Sequence, residues 1–399
     1  MYTKAFIPYR GYYSSPFARW QGSLQNEHPV ELGAATAKKW LAAKGIDVKL
    51  FEYLILGKTI GQLHTFYAAP WAAALMGAAE IPGHHIPQAC STATTSLNQA
   101  AMGIETGMYS NAFCLLTDRM SNAPHTIWPS TATPGGLVIS ENSLIDAFNN
   151  DPWGGLAMIE TAEAVVREVG GITREDCDNV TFRRYEQYQD ALSNEREFQK
   201  RYMFPTEYKK NKKETALLET DEGATPTSKE GLARLKPVID GGVHTYGSQT
   251  FPADGNCGVI LTTKEKAREL SIDKSIEIQV VSYGYGRAPK GRMAMAPVPV
   301  PAAQMALNKA GIDVKDVRAI KTHSPFVAND LYMAKEMNID VMKINNFGCS
   351  LIYGHPQGPT AARGVIEMIE ELVNLGGGYG MFTGCAAGDT GAALVIKVS

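Results

Sequence analysis

Cys90 stands where a short apolar segment meets a run of small polar residues. The sequence IPQAC (residues 86–90) predicts a strand, and the STATTSLNQAAM that follows predicts a helix. A thiol at a helix N-terminus experiences the positive end of the helix dipole, which favours the nucleophilic thiolate. An arbitrary cysteine is more often a buried structural residue, but the small neighbours of Cys90 favour exposure to a narrow ligand channel. We therefore expect Cys90 to act as a covalent nucleophile.

Three further segments carry side chains suited to acid–base chemistry. His355 lies in YGHPQGPTAARG (residues 353–364), where glycine allows close backbone approach and proline stiffens the loop before a helix. Cys385 lies in FTGCAAGDTG (residues 382–391), a turn whose small residues leave room for a substrate. His323 ends the predicted strand VRAIKTH, and carboxyl ends of strands commonly carry functional side chains in α/β proteins. Each motif alone is common in ordinary loops.

Two regions of alternating strands and helices must position these residues. Alternation runs to about residue 121 and returns after about residue 244, which predicts an α/β fold with a parallel sheet covered on both faces. The region between is rich in Pro, Gly, Asn and charge, and it predicts an inserted, mostly helical and irregular subdomain. The two halves share an element order, with Cys90 before a helix in the first and His355 before a helix in the second. The predicted units are residues 1–121 with 244–270, residues 122–243, and residues 271–399.

Composition excludes several classes of protein. With 399 residues, 44% hydrophobic and 20% charged, the chain has an ordinary globular balance, and its net charge of −3 gives no argument for nucleic acid or an anionic membrane. No signal peptide or run of 18 apolar residues is visible, so we expect a cytoplasmic protein. The six cysteines are scattered without a C-x-x-C pair, which predicts free thiols and no metal site.

Taken together and in this order, the motifs resemble the thiolase family. The segments that carry the resemblance are QACSTATTSL (88–97), TDRMSNAP (117–124), NNFGCSLIYGHPQGPTAAR (345–363) and GCAAGDTGAA (384–393). ETAEAVVREVGGITREDCD (160–178) resembles the helix pair of the family's loop domain, and the resemblance extends over essentially the whole chain. It implies a thiolase fold: two similar βαβαβαββ halves forming a five-layered αβαβα core, with residues 122–243 as a loop domain that binds coenzyme A (CoA) and substrate.

The resemblance also implies an acyltransferase and a role for each site residue. Cys90 would carry the acyl group, His355 would help form its thiolate, and Cys385 would move the proton of the substrate α-carbon or of the leaving group. The backbone N–H groups of Cys90 and Ala387 would bind one oxyanion, and His323 and His355 the thioester oxygen. The family uses CoA as a substrate and no bound cofactor. The positions implied to contact substrate or CoA are Ala157, Met158, Thr225, Thr250 and Phe326.

The chain departs from the common thiolase pattern around the substrate. His323-Ser324-Pro325-Phe326 replaces Asn-Glu-Ala-Phe, although sterol-carrier-protein type thiolases also have a His there. Ala157 stands where many members have a His near the acyl pocket, Thr225 where an Arg often contacts the nucleotide, and Thr250 where a Ser often lines the pantetheine channel. Cys-Ala-Ala replaces Cys-x-Gly at residues 385–387. The loss of a bulky His at 157 predicts a bulkier or aromatic acyl group, such as that of benzoylsuccinyl-CoA.

Other interpretations remain open. Cys90, His323 and His355 could form the Cys-His-His set of a ketoacyl-synthase-like condensing enzyme, although Pro356 and Cys385 fit thiolases better. A thiolase-fold subunit without turnover is a third possibility. The resemblance implies a homodimer or a dimer of dimers, and divergent members such as benzoylsuccinyl-CoA thiolase work with a small zinc-ribbon/OB-fold partner. The lysines at 209, 210, 212 and 213 fit a solvated face better than a CoA phosphate site.

Overall fold

The strands and helices are those of a computed structural model, which describes residues 1–130, 132, 135–288 and 295–399. The strands are β1 (Tyr12–Ser14), β2 (Ala18–Arg19), β3 (Tyr53–Gly57), β4 (Gly83–Ile86), β5 (Asn111–Arg119), β6 (His125–Pro129), β7 (Val138–Asn142), β8 (Thr206–Lys209), β9 (Thr215–Leu218), β10 (Ala253–Thr262), β11 (Ile278–Arg287), β12 (Val317–Lys321), β13 (Gly378–Ala386) and β14 (Thr390–Val398). The helices are α1 (Pro29–Ala43), α2 (Ala68–Met76), α3 (Thr92–Glu105), α4 (Ile145–Asn149), α5 (Met158–Val169), α6 (Arg174–Lys200), α7 (Lys229–Ala233), α8 (Lys264–Leu270), α9 (Pro299–Ala310), α10 (Val327–Met337), α11 (Ser350–Tyr353) and α12 (Thr360–Asn374).

The strands of the first half form one sheet in the order β1-β10-β5-β3-β4, with β2 also paired to β10. β3 runs parallel to both β4 and β5, as the alternation of strands and helices predicts. β10 runs antiparallel to β5 and to β1, so the sheet is mixed rather than wholly parallel. The reason is that β10 returns from the inserted region without a crossover helix and lies directly beside β5.

The second half repeats this order with two strands fewer, since it has no counterpart of β2 or of β4. Its sheet has the order β11-β14-β13-β12, and each strand matches its counterpart in the first sheet by position along the chain. Where the first half has β4, the second half has a short 3₁₀ turn at Val341–Lys343. The two halves are therefore similar in topology, and the second lacks the edge strand.

Helices α3 and α12 contact each other and lie between the two sheets. The period of two along a strand decides which layer each side chain joins. In β3, Ile55 packs in the cluster that contains Leu97 of α3, whereas Leu54 and Leu56 pack with α1 and α2. In β14, Leu394 packs in the cluster that contains α12, and Val395 packs with α9. The resulting layers are helix, sheet, helix, sheet, helix, which confirms the thiolase fold.

The sequence placed most core elements correctly, including α1, β3, α3, β5, α9, α12 and the β13–β14 hairpin. The strand predicted at 86–90 lies earlier, at Gly83–Ile86, and Ala89–Ser91 forms a 3₁₀ turn instead. Of the six cysteines, all are free, and all but Cys90 are buried. Within the described residues, none of the helices combines the length and hydropathy that a bilayer span requires.

The inserted region is less helical than the sequence predicts. Besides α4 to α7 it contains two antiparallel hairpins, β6–β7 and β8–β9. Most residues of β6 and β7 are exposed, so their strands carry no apolar alternation that would have revealed them. The four lysines at 209–213 are exposed beside the second hairpin, in agreement with a solvated face. The predicted domain boundaries remain predictions.

Candidate active site

Cys90 is held by a tight turn at the start of α3. It is the middle residue of the 3₁₀ turn Ala89–Ser91, and Ala89 has a left-handed φ of 43°. Such a backbone is costly for a residue with a side chain, so the surrounding structure must impose it. The hydroxyl of Thr92 fixes the turn, since it donates to Ala89 O (2.7 Å) and accepts from Gln88 N (2.8 Å).

His355 reaches the thiol from the opposite half of the molecule. Its backbone N–H donates to Phe251 O at 2.8 Å, and its Nδ1 lies 2.7 Å from Thr360 Oγ1. Its Nε2 lies 3.0 Å from Cys90 Sγ. For Nε2 to accept the thiol proton, Nδ1 must carry the ring hydrogen and donate it to Thr360. As the acceptor of that hydrogen, Thr360 favours the tautomer that a base needs. Nothing in the sequence beyond its place at the start of α12 indicates this role.

The protonation states differ from the sequence expectation. Cys90 keeps part of its surface open, but the protein packed around the thiol desolvates it and raises its pKa to about 12, against smaller opposing effects of the Ala387 and Cys90 N–H groups. Burial, reinforced by His323, lowers the pKa of His355 well below its usual range. Burial of the thiol therefore opposes the effect expected of the helix N-terminus. Both pKa shifts favour a neutral thiol and a neutral imidazole over an ion pair.

Cys385 lies beside a second histidine. Its Sγ is 3.8 Å from His323 Nε2 and 3.6 Å from Asn329 Nδ2, and all three residues are buried. Burial, and then Cys90, raises the pKa of the Cys385 thiol, and burial lowers the pKa of His323 to about 3. Cys385 is consequently a protonated thiol at neutral pH, suited to giving a proton to a developing carbanion. Asn329 is a contact that sequence reasoning missed.

The two groups of oxyanion-binding donors that the family resemblance implies both lie close to Cys90. The backbone N–H groups of Ala387 and Cys90 both act on the Cys90 sulfur. The rings of His323 and His355 are 5.3 Å apart between centroids. An oxygen near Cys90 Sγ can thus meet either backbone N–H donors or imidazoles.

An apolar cavity of about 240 Å³ opens onto the nucleophile. Its lining includes four of the five residues implied to contact substrate or CoA, namely Ala157, Met158, Thr250 and Phe326. None of the described residues that line it carries a formal charge. Phe148, Ile159 and Met295 add to its apolar wall.

Thr225 lies elsewhere, in an outer groove of about 670 Å³. Tyr246 and Phe251 line both the groove and the inner cavity, so the two spaces adjoin. A long, narrow ligand could extend from Thr225 in the groove to Cys90. Thr250 holds the junction: its hydroxyl donates to Ser350 O (2.6 Å), and its N–H donates to Pro325 O (2.8 Å).

Two buried aspartates hold the histidine loops, and the sequence singled out neither. Asp330 of α10 accepts from Thr322 Oγ1 and Ser324 Oγ, each at 2.8 Å, on either side of His323. Asp118 accepts from Gly358 N at 2.9 Å in the His355 loop. Burial raises the pKa of Asp118 to about 6. The contact of Asp118 joins segments 240 positions apart, which spacing along one segment does not reveal, whereas Asp330 lies only six and eight positions from its partners.

Comparison with known proteins identifies the family. The chain matches the thiolase N-terminal domain over residues 11–265 and the thiolase C-terminal domain over residues 275–398. It belongs to the thiolase family. Acetyl-CoA acetyltransferase of Syntrophomonas wolfei is 29% identical over 96% of both chains, and human mitochondrial 3-ketoacyl-CoA thiolase is 27% identical over 96% of both. The protein is accordingly an acyltransferase of the thiolase type, as the sequence motifs predicted.

Solved structures agree. The crystal structure of human mitochondrial 3-ketoacyl-CoA thiolase superimposes with a TM-score of 0.89 at 25% identity, covering 99% of each chain. The same human enzyme in complex with CoA gives a TM-score of 0.89 at 26% identity, covering 99% of this chain and 98% of that one. These similarities establish the fold and the enzyme class, and the roles of individual residues remain predictions.

Proposed function

We propose that the enzyme cleaves a 3-oxoacyl-CoA with free CoA through an acyl thioester on Cys90. The observation that carries this proposal is the 3.0 Å separation between Cys90 Sγ and His355 Nε2 beside an apolar cavity. As Sγ attacks the 3-keto carbon, the thiol proton passes to Nε2. The alkoxide oxygen then lies near the N–H groups of Cys90 and Ala387.

Cys385 would complete the reaction. When the bond between C2 and C3 breaks, the electron pair stays on C2 as the enolate of the departing acyl-CoA, and its oxygen lies near His323 and His355. The Cys385 thiol protonates C2, and the product leaves; it is acetyl-CoA where C2 is unsubstituted and a larger acyl-CoA where C2 carries a substituent, as in benzoylsuccinyl-CoA. The Cys385 thiolate then takes the proton of the incoming CoA thiol, which attacks the acyl carbonyl and frees the Cys90 thiolate. Cys90 takes back the proton held on His355 Nε2, which restores both residues. Two half-reactions through one intermediate predict ping-pong kinetics.

The direct test is acyl transfer to Cys90 in the absence of CoA. The purified protein is incubated with a panel of 3-oxoacyl-CoAs, and Cys90 is examined by mass spectrometry for an acyl adduct. We expect an adduct that added CoA discharges, and we expect none with Cys90→Ala. If no member of the panel labels wild-type Cys90, the proposal that the isolated chain catalyses the thiolase reaction is wrong.

The acyl group we propose is bulky or aromatic, in a degradative direction. A volume of about 240 Å³ equals roughly eight water molecules, whereas an acetyl group has three heavy atoms. Ala157 adds little bulk to a wall that otherwise carries Phe148, Met158 and Phe326. An acyl group such as that of benzoylsuccinyl-CoA suits this apolar lining.

Steady-state kinetics with acetoacetyl-CoA and aromatic 3-oxoacyl-CoAs test the acyl group. We expect a higher kcat/KM for the aromatic substrates, and Ala157→His should reverse the order by filling the cavity. Thr225→His adds the same side chain in the outer groove and should leave the order unchanged. A wild-type preference for acetoacetyl-CoA contradicts the proposal.

A second reaction, decarboxylative condensation, should be tested in the same assay because Cys90, His323 and His355 form one cluster. Their donor atoms lie within 4.8 Å of one another, an arrangement that also suits decarboxylative condensation with malonyl-CoA. Release of CO₂ from malonyl-CoA by the acylated enzyme would favour this condensing reaction. CoA-dependent cleavage without CO₂ release would favour the thiolase reaction.

We also propose that the chain self-associates, at least as a dimer. In the described part of the first sheet, β4 is an edge strand with one pairing side free, and free edges favour pairing with another chain. α2 contacts β4, and the turn before α2 exposes Phe66 and Tyr67. Light scattering of the pure protein should give at least twice the 43.3 kDa chain mass. A monomer that assembles only with a small zinc-ribbon/OB-fold protein from the native host would overturn self-association.

A further inference from the structure

The cluster at the nucleophile has the donor set of a metal site. Cys90 Sγ and one ring nitrogen from each of His323 and His355 all lie within 4.8 Å of one another. Zinc bonds of about 2.0–2.3 Å in tetrahedral geometry place donor atoms about 3.3–3.8 Å apart. Side-chain rotations that move the donor atoms by about an ångström would bring the three donors to one ion. The sequence predicts no metal site because the residues lie far apart along the chain.

The contacts of the two histidines leave ring nitrogens available to a metal, which binds the lone pair of a neutral imidazole. Thr360 occupies Nδ1 of His355 and leaves Nε2 as the free donor facing Cys90. His323 Nδ1 is buried and has no hydrogen-bond partner within the described part of the chain. The Cys385 sulfur, 3.8 Å from His323 Nε2, is a candidate fourth donor.

The donor set selects among metals. One sulfur and two imidazoles suit Zn²⁺ and Cd²⁺, whereas Mg²⁺ and Ca²⁺ prefer oxygen donors. No carboxylate is found among the described residues that line the cavity. The two adjoining spaces provide a path from solvent to Cys90. His323 is the decisive residue, because the common thiolase sequence has an Asn at this position.

We propose that Zn²⁺ binds to Cys90 Sγ, His323 and His355 and thereby inhibits the enzyme. On binding, an S–Zn bond forms, the Cys90 thiol proton leaves to solvent, and no electron transfer is involved. The metal binds the sulfur of the nucleophile Cys90 and the lone pair of its base His355. Neither group can then react with the substrate, so acylation stops. An acyl group on Cys90 would in turn exclude the metal. This metal site goes beyond the proposed reaction and depends only on the geometry of the three donors.

Protection of Cys90 from alkylation tests the site without any substrate. ZnCl₂ is titrated in a chelator-buffered solution, and iodoacetamide labelling of Cys90 is followed by mass spectrometry. We expect protection in the wild type and about 100-fold weaker protection in His323→Asn. His28→Asn makes the same substitution at a histidine away from the three donors, where its ring contacts Leu63 O, and should be protected within about threefold of the wild type. Protection of His323→Asn equal to the wild type, or no protection at all, overturns the proposal.

Cobalt spectroscopy and proton release supply a second readout if His323→Asn folds poorly. Co²⁺ added to the wild type should give a thiolate-to-cobalt absorption band that Cys90→Ser lacks. Because one thiol proton is released, the apparent dissociation constant should fall about tenfold per pH unit between pH 6 and 8. A Co²⁺ band that persists in Cys90→Ser, or an affinity independent of pH, would place the metal elsewhere. Neither result depends on acyl transfer, so failure of the metal site and failure of the proposed reaction are distinguishable.

Discussion

The two central helices, α3 behind Cys90 and α12 behind His355, occupy equivalent places but are stabilised in opposite ways. Along α3 the only charged residue is Glu105 at its last position. Its buried hydroxyls bond to the helix's own turns, as Thr94 does to Ser91 O at 2.8 Å and Ser96 to Thr92 O at 2.8 Å, and the buried amide of Asn98 accepts from Tyr2 OH. α12 instead buries four charged side chains, Arg363, Glu367, Glu370 and Glu371.

The charges on α12 are matched by partners from distant segments. Arg363 makes a bidentate pair with Asp221 at 2.6 and 2.7 Å and a contact of 3.0 Å with Glu367. Glu367 also pairs with Lys321 at 3.3 Å. The helix that carries the neutral nucleophile therefore depends on local packing. The helix that carries the base depends on an ionic network reaching the inserted region.

The largest effect expected from this difference follows removal of Arg363. Arg363→Met should lower the free energy of unfolding by about 3–5 kcal/mol, because Asp221 remains buried without its cation and Glu367 keeps only Lys321. Urea denaturation measures the change. Arg363→Met combined with Asp221→Leu should recover a substantial part of the loss. A single variant as stable as the wild type would contradict the role of the network.

The next effect concerns the hydroxyl that orients the base. Thr360→Val keeps the shape of the side chain but removes the partner of His355 Nδ1, 2.7 Å away. We expect kcat/KM to fall about 100-fold with little change in unfolding free energy, since the ring loses its fixed tautomer. Thr360→Ser retains the hydroxyl and should retain most activity. Equal losses in the two variants would show that packing, rather than the hydrogen bond, matters.

The pH dependence of Cys90 labelling distinguishes a neutral thiol and imidazole from a thiolate and imidazolium. Its expected change per pH unit is smaller than the effect of Thr360→Val. Since burial raises the pKa of Cys90 to about 12, the thiolate fraction at pH 7 to 10 is small and grows with pH. Iodoacetamide labelling of Cys90 should accelerate about tenfold per pH unit over this range. Acylation should lose rate only in acid, where His355 becomes protonated below the usual pKa of His. A labelling rate that is flat above pH 7 would indicate a resting thiolate and imidazolium.

The smallest effect is expected on α3 itself. Thr94→Val removes the hydroxyl that bonds to Ser91 O and should cost only about 1 kcal/mol of unfolding free energy, the net value of an ordinary hydrogen bond. The same urea experiment as for Arg363→Met provides the comparison. If the two variants lose similar stability, the contrast between the two central helices is mistaken.

Residue patterns predicted the elements correctly where the structure of a segment is determined by its own sequence. The apolar run of β3, the periodicity of α12 and the glycine-rich turn after Cys385 each specify an element locally. They also placed Cys90 and His355 in segments that the fold brings together. Cys385, expected in a turn, lies instead in β13, where it pairs with Gly391 of β14. The family resemblance added the roles that these residue types alone left open.

The remaining features depend on contacts between distant segments. Nothing near Arg363 in the sequence indicates that it is fully buried against Asp221. The pKa of Cys90 depends on how closely the protein packs over the thiol, and the backbone N–H groups of Ala387 and Cys90 oppose this effect only in part. The exposed hairpin β6–β7 lacks the alternation that would have predicted strands.

The pairing of β5 with β10 has a consequence for synthesis of the chain on the ribosome. Ala112 of β5 pairs with Leu261 of β10, and residues 120–252 must be made between the two strands. At about 5–20 residues per second, this takes roughly 7 to 27 s. Throughout that interval β5 has an unpaired edge in a strongly apolar strand, which is a template for aggregation. A nascent chain of this topology therefore depends on shielding by chaperones or by the ribosome until residue 262 has emerged.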